Sequence, residues 1–308
     1  MNKIEITSTV ESVAQARELL ACGVDNIYFG DEAFGLRLPG YFSRAEQKEL
    51  VELAHSYNKK ATIAVNGIMH PEKMTLIPEY LTFLVDIGVD QITVGDTGVI
   101  YVLQKEKLAL PFIYDAHTLV TSARQINFWG KRGAIGGVIA REVPYLELVD
   151  MTKQLDIFGE ILVYGATCIH QSKRPLVENF FSYIKSEDDT SKERGLFLSE
   201  PKKEETHYSV YEDSHGTHIF ADSDVNLMTE LDKLFELGLT HWKLDGIYTP
   251  GSKLVDIAKL FVQAARILEA DEWTLEVANQ LLEKVIVLHP QERSLDTGFF
   301  LMDPDEVK

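Results

Sequence analysis

Residues 159–172, Gly-Glu-Ile-Leu-Val-Tyr-Gly-Ala-Thr-Cys-Ile-His-Gln-Ser, hold the chain's most suggestive chemistry. The acid Glu160 opens the stretch, an apolar run follows, and a Gly-Ala-Thr-Cys turn ends it. A buried strand would thus bring a thiol (Cys168), an imidazole (His170) and a hydroxyl to one strand end. A thiol beside an imidazole can make a nucleophile. Residues i and i+2 face the same way only if the strand continues past Ala166 and Thr167. Otherwise Cys168 is a small buried apolar residue and His170 a loop histidine.

A second set is charged. Glu32 and Arg37 follow one predicted strand, Arg141 and Glu142 end another, and Lys243 and Asp245 end a third. Arginines at one rim can grip a dicarboxylate or a phosphate bidentately. The alternative is a ring of mutually compensating salt bridges that closes the mouth of a barrel. Asn66, Asp96, Asp115 and His117 also end strands. His215-Gly216-Thr217-His218 has two histidines that could ligate a metal, but it reads as an exposed hairpin turn. No H-E-x-x-H and no G-x-S-x-G is present, so neither that zinc protease nor a serine hydrolase elbow is supported. Arg124, Lys131, Arg132, Lys173 and Arg174 form either one basic patch or scattered solvated charge.

These residues must be positioned by regular elements, and a recurring phrase shows which. Leu20–Gly30 is echoed by Val85–Gly95 and, more weakly, by Phe235–Gly246. Each reads as a helix end, a glycine able to take positive φ, a polar residue and a β-rich run. Strands are expected at Lys3–Ser8, Asn26–Gly30, Lys60–Val65, Gln91–Gly95, Phe112–Ala116, Gly137–Arg141, Glu160–Gly165 and Thr240–Leu244. Helical patterns lie between them. One is Ser43–Asn58, with Ser43 as N-cap and Glu46 placed for a capping box. Eight strands alternating with helices imply an α/β fold, a (β/α)8 TIM-like barrel. An open doubly wound sheet would need a phosphate loop, and neither G-x-G-x-x-G after the first strand nor a Walker loop occurs.

His207–Val210 and Thr217–Phe220, flanking residues 211–216, read as a β-hairpin inserted after the seventh strand on the C-terminal face. The expected organisation is a barrel over residues 1–270, with the insertion at about 185–225. Residues 271–308 would add a helix Thr274–Val285, a short strand Val285–Leu288 and an extended tail packed on the barrel.

The chain has 308 residues, 45% of them apolar, enough for a large core without staples. Its net charge of −18 disfavours autonomous binding to phosphate backbones and otherwise serves solubility. Two cysteines are too few for a disulfide framework or a four-thiolate cluster. No basic-then-apolar leader and no bilayer-length apolar run is evident. The expectation is a reduced, soluble, cytoplasmic protein with no membrane association.

Glu160–Ser172 resembles the signature of the collagenase-like peptidase family U32: acid, strand, His-Gly-Ala-Leu-Cys, then a second cysteine. Phe29-Gly30-Asp31-Glu32-Ala33-Phe34-Gly35-Leu36-Arg37 resembles that family's Gly-Gly-x-x-Phe-x-x-Arg segment. Ile139–Glu142 resembles its Leu-x-Arg-Glu segment, and Arg293–Phe300 its Arg-Gly-Phe-Thr-Thr-Gly-Phe end. Cysteine-rich members resemble iron–sulfur proteins, but here the second cysteine position falls at Pro175. The family's Lys-Ile-Glu-Gly-Arg stretch is Lys243-Leu244-Asp245-Gly246-Ile247, with a shorter acid and no arginine. The chain is similar to a short, cysteine-poor branch found beside a longer member.

The resemblance implies a part in forming 5-hydroxyuridine in tRNA, with prephenate as implied co-substrate. A longer family member would be the partner and tRNA would be bound through the complex. Arg37, Asn66, His117, Arg141, Lys243 and Asp245 would then bind substrate, and Glu142 or Glu32 would serve as general acid–base. No iron–sulfur cluster and no metal is expected. The alternatives are a peptidase using Cys168 and His170, or a non-catalytic subunit.

Overall fold

The computed structural model describes residues 3–115 and 120–307. Among them are twelve strands: β1 (Glu5–Thr9), β2 (Asn26–Gly30), β3 (Lys60–Val65), β4 (Gln91–Val94), β5 (Phe112–Tyr114) and β6 (Ala134–Val138), then β7 (Phe158–Ser172), β8 (Phe197–Glu200), β9 (Lys203–Asp213), β10 (Gly216–Asn226), β11 (His241–Leu244) and β12 (Ser294–Asp296). Strands β1 to β7 pair in parallel in sequence order, and β11 pairs in parallel with both β7 and β1. That closes an eight-stranded barrel, the α/β barrel the alternation predicts.

Alternation along each strand sends apolar residues outward to the helices. Ile6, Ile27, Phe29, Ile63 and Ile92 are buried there with Leu19 and Leu50 of the outer helices. The inward positions near the strand starts carry a polar ladder. Asn26 Nδ2 donates to Thr7 Oγ1 at 3.2 Å, Thr62 Oγ1 to Asn26 Oδ1 at 2.9 Å, and Gln91 Nε2 to Thr62 Oγ1 at 3.0 Å. This ladder fills the barrel interior near the strand starts, below the C-terminal ends of the strands. The capping box at the helix Arg44–Ser56 forms as expected: Glu46 accepts from Ser43 N at 2.9 Å and Ser43 Oγ accepts from Glu46 N.

Three expectations are corrected. The sixth strand is Ala134–Val138, not Gly137–Arg141, so Arg141 and Glu142 sit in the turn beyond it. There is no short strand at 285–288, because the helix capped by Thr274 runs on through Leu275–Leu288. The largest change is at β7, which does not turn at Gly165 but continues to Ser172. Past the rim its backbone groups are taken up by β10, antiparallel from Asn226↔Tyr164 to Thr217↔Ser172. Strands β10, β9 and β8 extend this arm as an antiparallel sheet, and β12 pairs with β10.

Gly165 permits the exit. Its φ is +125°, and a Cβ there would lie 2.3 Å from the Asp245 carbonyl oxygen. The neighbouring pairing slips between Lys243↔Leu162 and Leu244↔Tyr164. The family-like tail segment locks the arm from behind. Arg293 Nε and Nη2 donate to Asp224 Oδ1 at 2.8 and 2.6 Å, Nη1 donates to Ser209 Oγ at 2.7 Å, and Nη2 also donates to the Ala221 carbonyl at 2.7 Å. A Gly165→Ala variant is expected to lose roughly 3 kcal/mol or more in urea unfolding, because strain and a backbone clash act together.

Candidate functional site

The open end of the barrel holds a cavity of about 280 Å³. Tyr28 reaches it from β2, Lys243 from β11 and Leu162 from β7. The turns after the strands add Arg37, Asn66, Asp115, Arg141, Glu142 and Asp245, and the β7 arm adds residues 168–171. Residues from six barrel strands or the turns that follow them thus meet at one opening.

Lys243 is the deepest cation. Its Nζ lies 3.5 Å from the Tyr28 ring centroid and 3.5 Å from Glu160 Oε1, and its side chain is 9% exposed. Burial alone would pull its pKa down, but Tyr28, Glu160, Asp115 and Asp245 outweigh that and hold it raised. Glu160 moves the other way in charge: burial lifts its carboxyl above the ordinary range despite Lys243. At 3.5 Å the two attract as charges without a well-aligned hydrogen bond, and Glu160 Oε1 has no other partner. Asp245 is also raised by burial, against the charge of Arg141, and its Oδ1 accepts from Ile247 N at 3.0 Å. A buried carboxyl whose pKa is raised by desolvation, in or beside a cavity that also holds cations, binds its proton more readily than a free one, as a general acid–base group requires.

Arg37 enters from the turn after β2 in a left-handed conformation, φ +52°, and its Nη1 donates to Gln171 Oε1 at 2.7 Å. The β7 arm therefore holds the arginine at the mouth. Among the described residues Arg141 forms neither an ion pair nor a hydrogen bond, although it faces the cavity. Among the described residues Arg141 therefore stands outside any ring of salt bridges at the rim. Asn66 is fully engaged: Nδ2 donates to Asp115 Oδ2 at 2.9 Å and to Tyr28 Oη at 3.2 Å, and Oδ1 accepts from Leu36 N at 3.0 Å. It positions the Arg37 turn as much as it lines the space. Glu142 lines the cavity with Oε2 buried and without a hydrogen-bond partner.

One residue expected at the site is placed elsewhere. Glu32 is exposed in a shallow surface groove with Lys73 and Ser214. The tight turn made by Asp31, which accepts from Ala33 N at 2.7 Å, faces Glu32 away while Arg37 dips inward. Cys168 and His170 both line the cavity, but they do not pair through their side chains. The thiol donates to the His170 backbone carbonyl at 3.3 Å, and the His170 ring is exposed. His117 lies outside the described residues.

The residues 215–218 are not an exposed turn. His215 is 4% and His218 0% exposed. His215 Nε2 bonds the Glu32 backbone carbonyl at 2.8 Å, so the hairpin tip is clamped onto the turn that carries Arg37. Tyr28, Gln171, His218 and Asp213 were not singled out from sequence for this site. Only the register of β9 against β10 brings the last two beside the arm.

The residues present do not fit an iron–sulfur cluster. Cys168 is on the arm above the barrel, whereas Cys22 ends the helix Val13–Cys22, which leads back to the start of β2 at the opposite end. Among the described residues no group of three or more His, Cys, Asp or Glu side chains is placed to hold a metal ion.

Two outcomes follow from this geometry. Left-handed φ favours glycine, so Arg37→Gly is expected to be about 1 kcal/mol more stable than Arg37→Ala in urea titrations, although both lose the guanidinium. Burial, with Lys73 nearby, lowers the His215 pKa to about 4. Below the ordinary value of about 6.5 the unfolded chain binds a proton that the folded chain does not. This histidine therefore subtracts stability as pH falls from about 6.5 toward about 4. His215→Gln should flatten that part of the stability–pH curve, and imidazole NMR should show no titration of His215 at pH about 6.

Comparison with known proteins gives these features a context. Residues 11–308 match the family model described as peptidase family U32. The chain is 33% identical to tRNA hydroxylation protein P2 of Bacillus subtilis, over 98% of this chain and 99% of that one. It is 23% identical to tRNA hydroxylation protein P of Haemophilus influenzae, over 79% of this chain and 63% of that longer one. Against the 23S rRNA 5-hydroxycytidine C2501 synthase of Escherichia coli it is 24% identical, over 85% of this chain and 39% of that protein. The solved structure of the U32 peptidase Mk0906 shares the fold, with a TM-score of 0.51 at 16% identity over 80% of this chain and 93% of that one. The chain belongs to peptidase family U32.

Proposed function

We propose that this protein is a component of tRNA uridine 5-hydroxylation, and that its cavity binds a small dicarboxylate co-substrate of the prephenate type. The observation that carries the co-substrate reading is the convergence of Arg37, Arg141 and Lys243 on one space of about 280 Å³. Arg141, with no ion pair among the described residues, is the natural grip for one carboxylate. Lys243, charged and desolvated, is the grip for a second. Asp245 and Glu142 are the carboxyl groups placed to move a proton on a bound ligand. The tRNA reading draws on the relatives named tRNA hydroxylation protein P and P2.

A net charge of −18 argues that RNA is held mainly by another chain, and a longer family member is the proposed partner. The arm offers it a surface. On the helix Leu176–Tyr183 and just past its end, Leu176, Phe180, Tyr183 and Ile184 follow helical spacing on one exposed face. No helix of the described residues is long and apolar enough to cross a membrane.

The test is genetic and chemical. Deleting the gene together with any paralogue is expected to abolish 5-hydroxyuridine derivatives in bulk tRNA, measured by mass spectrometry. The unaltered gene should restore them, and Arg141→Met should not. Unchanged modification in the deletion strain would sink the proposal.

A further inference from the structure

The β7 arm and β10 face each other across an antiparallel pair, with Phe220 opposite Cys168 and Gln171 opposite His218. His218 is wholly buried, and its Nε2 contacts Asp213 Oδ1 at 2.9 Å. Asp213 is held in turn: its Oδ1 accepts from His215 N at 2.7 Å, and its Oδ2 from Tyr41 Oη at 3.3 Å. The other ring nitrogen, Nδ1, is buried and has no well-aligned hydrogen bond. His218 is two positions from Phe220, the strand partner of Cys168, and the Tyr211 ring packs against both His218 and Phe220, so thiol and imidazole share one buried corner where each shifts the other's proton affinity. Cys168 in turn lines the cavity that holds Arg37 and Arg141.

We infer that Cys168, His218 and Asp213 form a nucleophilic thiol centre in the cavity wall, whose ligands are small carboxylates bearing an electrophilic carbon. Asp213 orients the imidazole, His218 takes the thiol proton, and the cations beside Cys168 hold the ligand's carboxylate. Sulfur then bonds to the electrophilic carbon. With a carbonyl ligand the displaced π pair goes to oxygen, which takes the imidazolium proton, and the addition reverses on release. With a haloacetate the halide leaves with the bonding pair.

The charges around the centre agree with this. Burial pushes the thiol pKa up, but His218, Arg37 and Arg141 outweigh it, and the Cys168 pKa is lowered. Burial likewise pulls His218 down, and Asp213 with Cys168 outweighs it, so the His218 pKa is raised despite Arg37. The Tyr211 ring from β9 lies tilted against His218 with centroids 4.9 Å apart, and Tyr248 from the turn after β11 also senses the thiol. Both tyrosines are held neutral by burial. Cys22 is the internal control, since burial raises its pKa.

The preference for a carboxylate rests on reading the cavity as an anion site, as proposed above, whereas the thiol centre does not. The full chain is therefore treated with iodoacetate and, separately, with neutral iodoacetamide across pH about 5.5 to 9, and alkylation of Cys168 and Cys22 is followed by peptide mass spectrometry. Cys168 is expected to react with both reagents at about pH 6, where Cys22 does not. The iodoacetate-to-iodoacetamide rate ratio at Cys168 should exceed that of the unfolded chain by about tenfold. Arg37→Met should reduce that ratio, from which the thiolate fraction cancels. His218→Gln should move both pH profiles upward and leave the ratio in place.

Iodoacetamide labelling of unaltered Cys168 only above pH about 8.5, as for a free thiol, overturns the centre whether or not the His218 variant folds. Activation at about pH 6 with the unfolded chain's ratio overturns the carboxylate preference, and with it the anion reading, while the tRNA assay tests the family role separately.

Discussion

The passage of β7 over the backbone of β11 governs this molecule. A strand leaving a closed barrel carries unpaired N–H and C=O groups into space, and burying them without partners would cost several kcal/mol. Here β10 returns antiparallel and takes up those groups, which obliges the chain to spend residues 173–215 making the return. Gly165 is where that solution is sterically decided, because the Asp245 carbonyl occupies the place of a side chain. The arm then builds much of the site. It supplies Cys168, supplies Gln171 to hold Arg37, and carries the hairpin tip whose His215 clamps the turn after β2. Barrel and arm are one construction, with the Arg293–Asp224 contact tying the tail to the back of the arm.

The barrel was legible because its signals are local. Glycine-ended helices followed by β-rich runs located β2, β4 and β11, and Ser43 with Glu46 fixed a helix start. The rim cations were legible for the same reason: they follow recognisable strands, and Arg37, Arg141 and Lys243 do meet. The arm was not legible. Gly-Ala-Thr after an apolar run looks like a turn, and nothing within a few residues says that a strand about fifty positions later will pair with it. His218 was missed for that reason. Cys168 has a nearer histidine at i+2, while the imidazole that engages it depends on long-range register. His215 and His218 looked exposed because a glycine turn is usually at the surface, but this turn is packed down on the barrel mouth. Glu32 was misplaced by a turn whose direction depends on the Asp31 side chain rather than on spacing.

Two buried ionic groups show how structure and function divide between them. Asp224 and Arg293 are nearly inaccessible, with several short hydrogen bonds on the guanidinium, and neither lines the barrel cavity. Four short hydrogen bonds hold the guanidinium and fix the orientation of a tail, which is a structural task, although Asp224 Oδ2 has no hydrogen-bond partner. Lys243 and Glu160 are equally buried, yet their contact is 3.5 Å, Glu160 Oε1 lacks a hydrogen bond, and the ammonium leans on an aromatic face inside an open cavity.

A buried ion pair of imperfect geometry does not recover the cost of its desolvation, and apolar residues of similar volume would commonly leave a fold as stable or more so. The barrel's neighbouring layer shows that this chain can satisfy inward polar groups completely when only packing is asked of them: Thr7, Asn26, Thr62 and Gln91 close a ladder of hydrogen bonds. The under-satisfied charge beside the Tyr28 ring is what the ligand proposed above would answer. An arriving carboxylate would supply the acceptors that Lys243 and Arg141 lack, and part of the desolvation cost has been met before it binds.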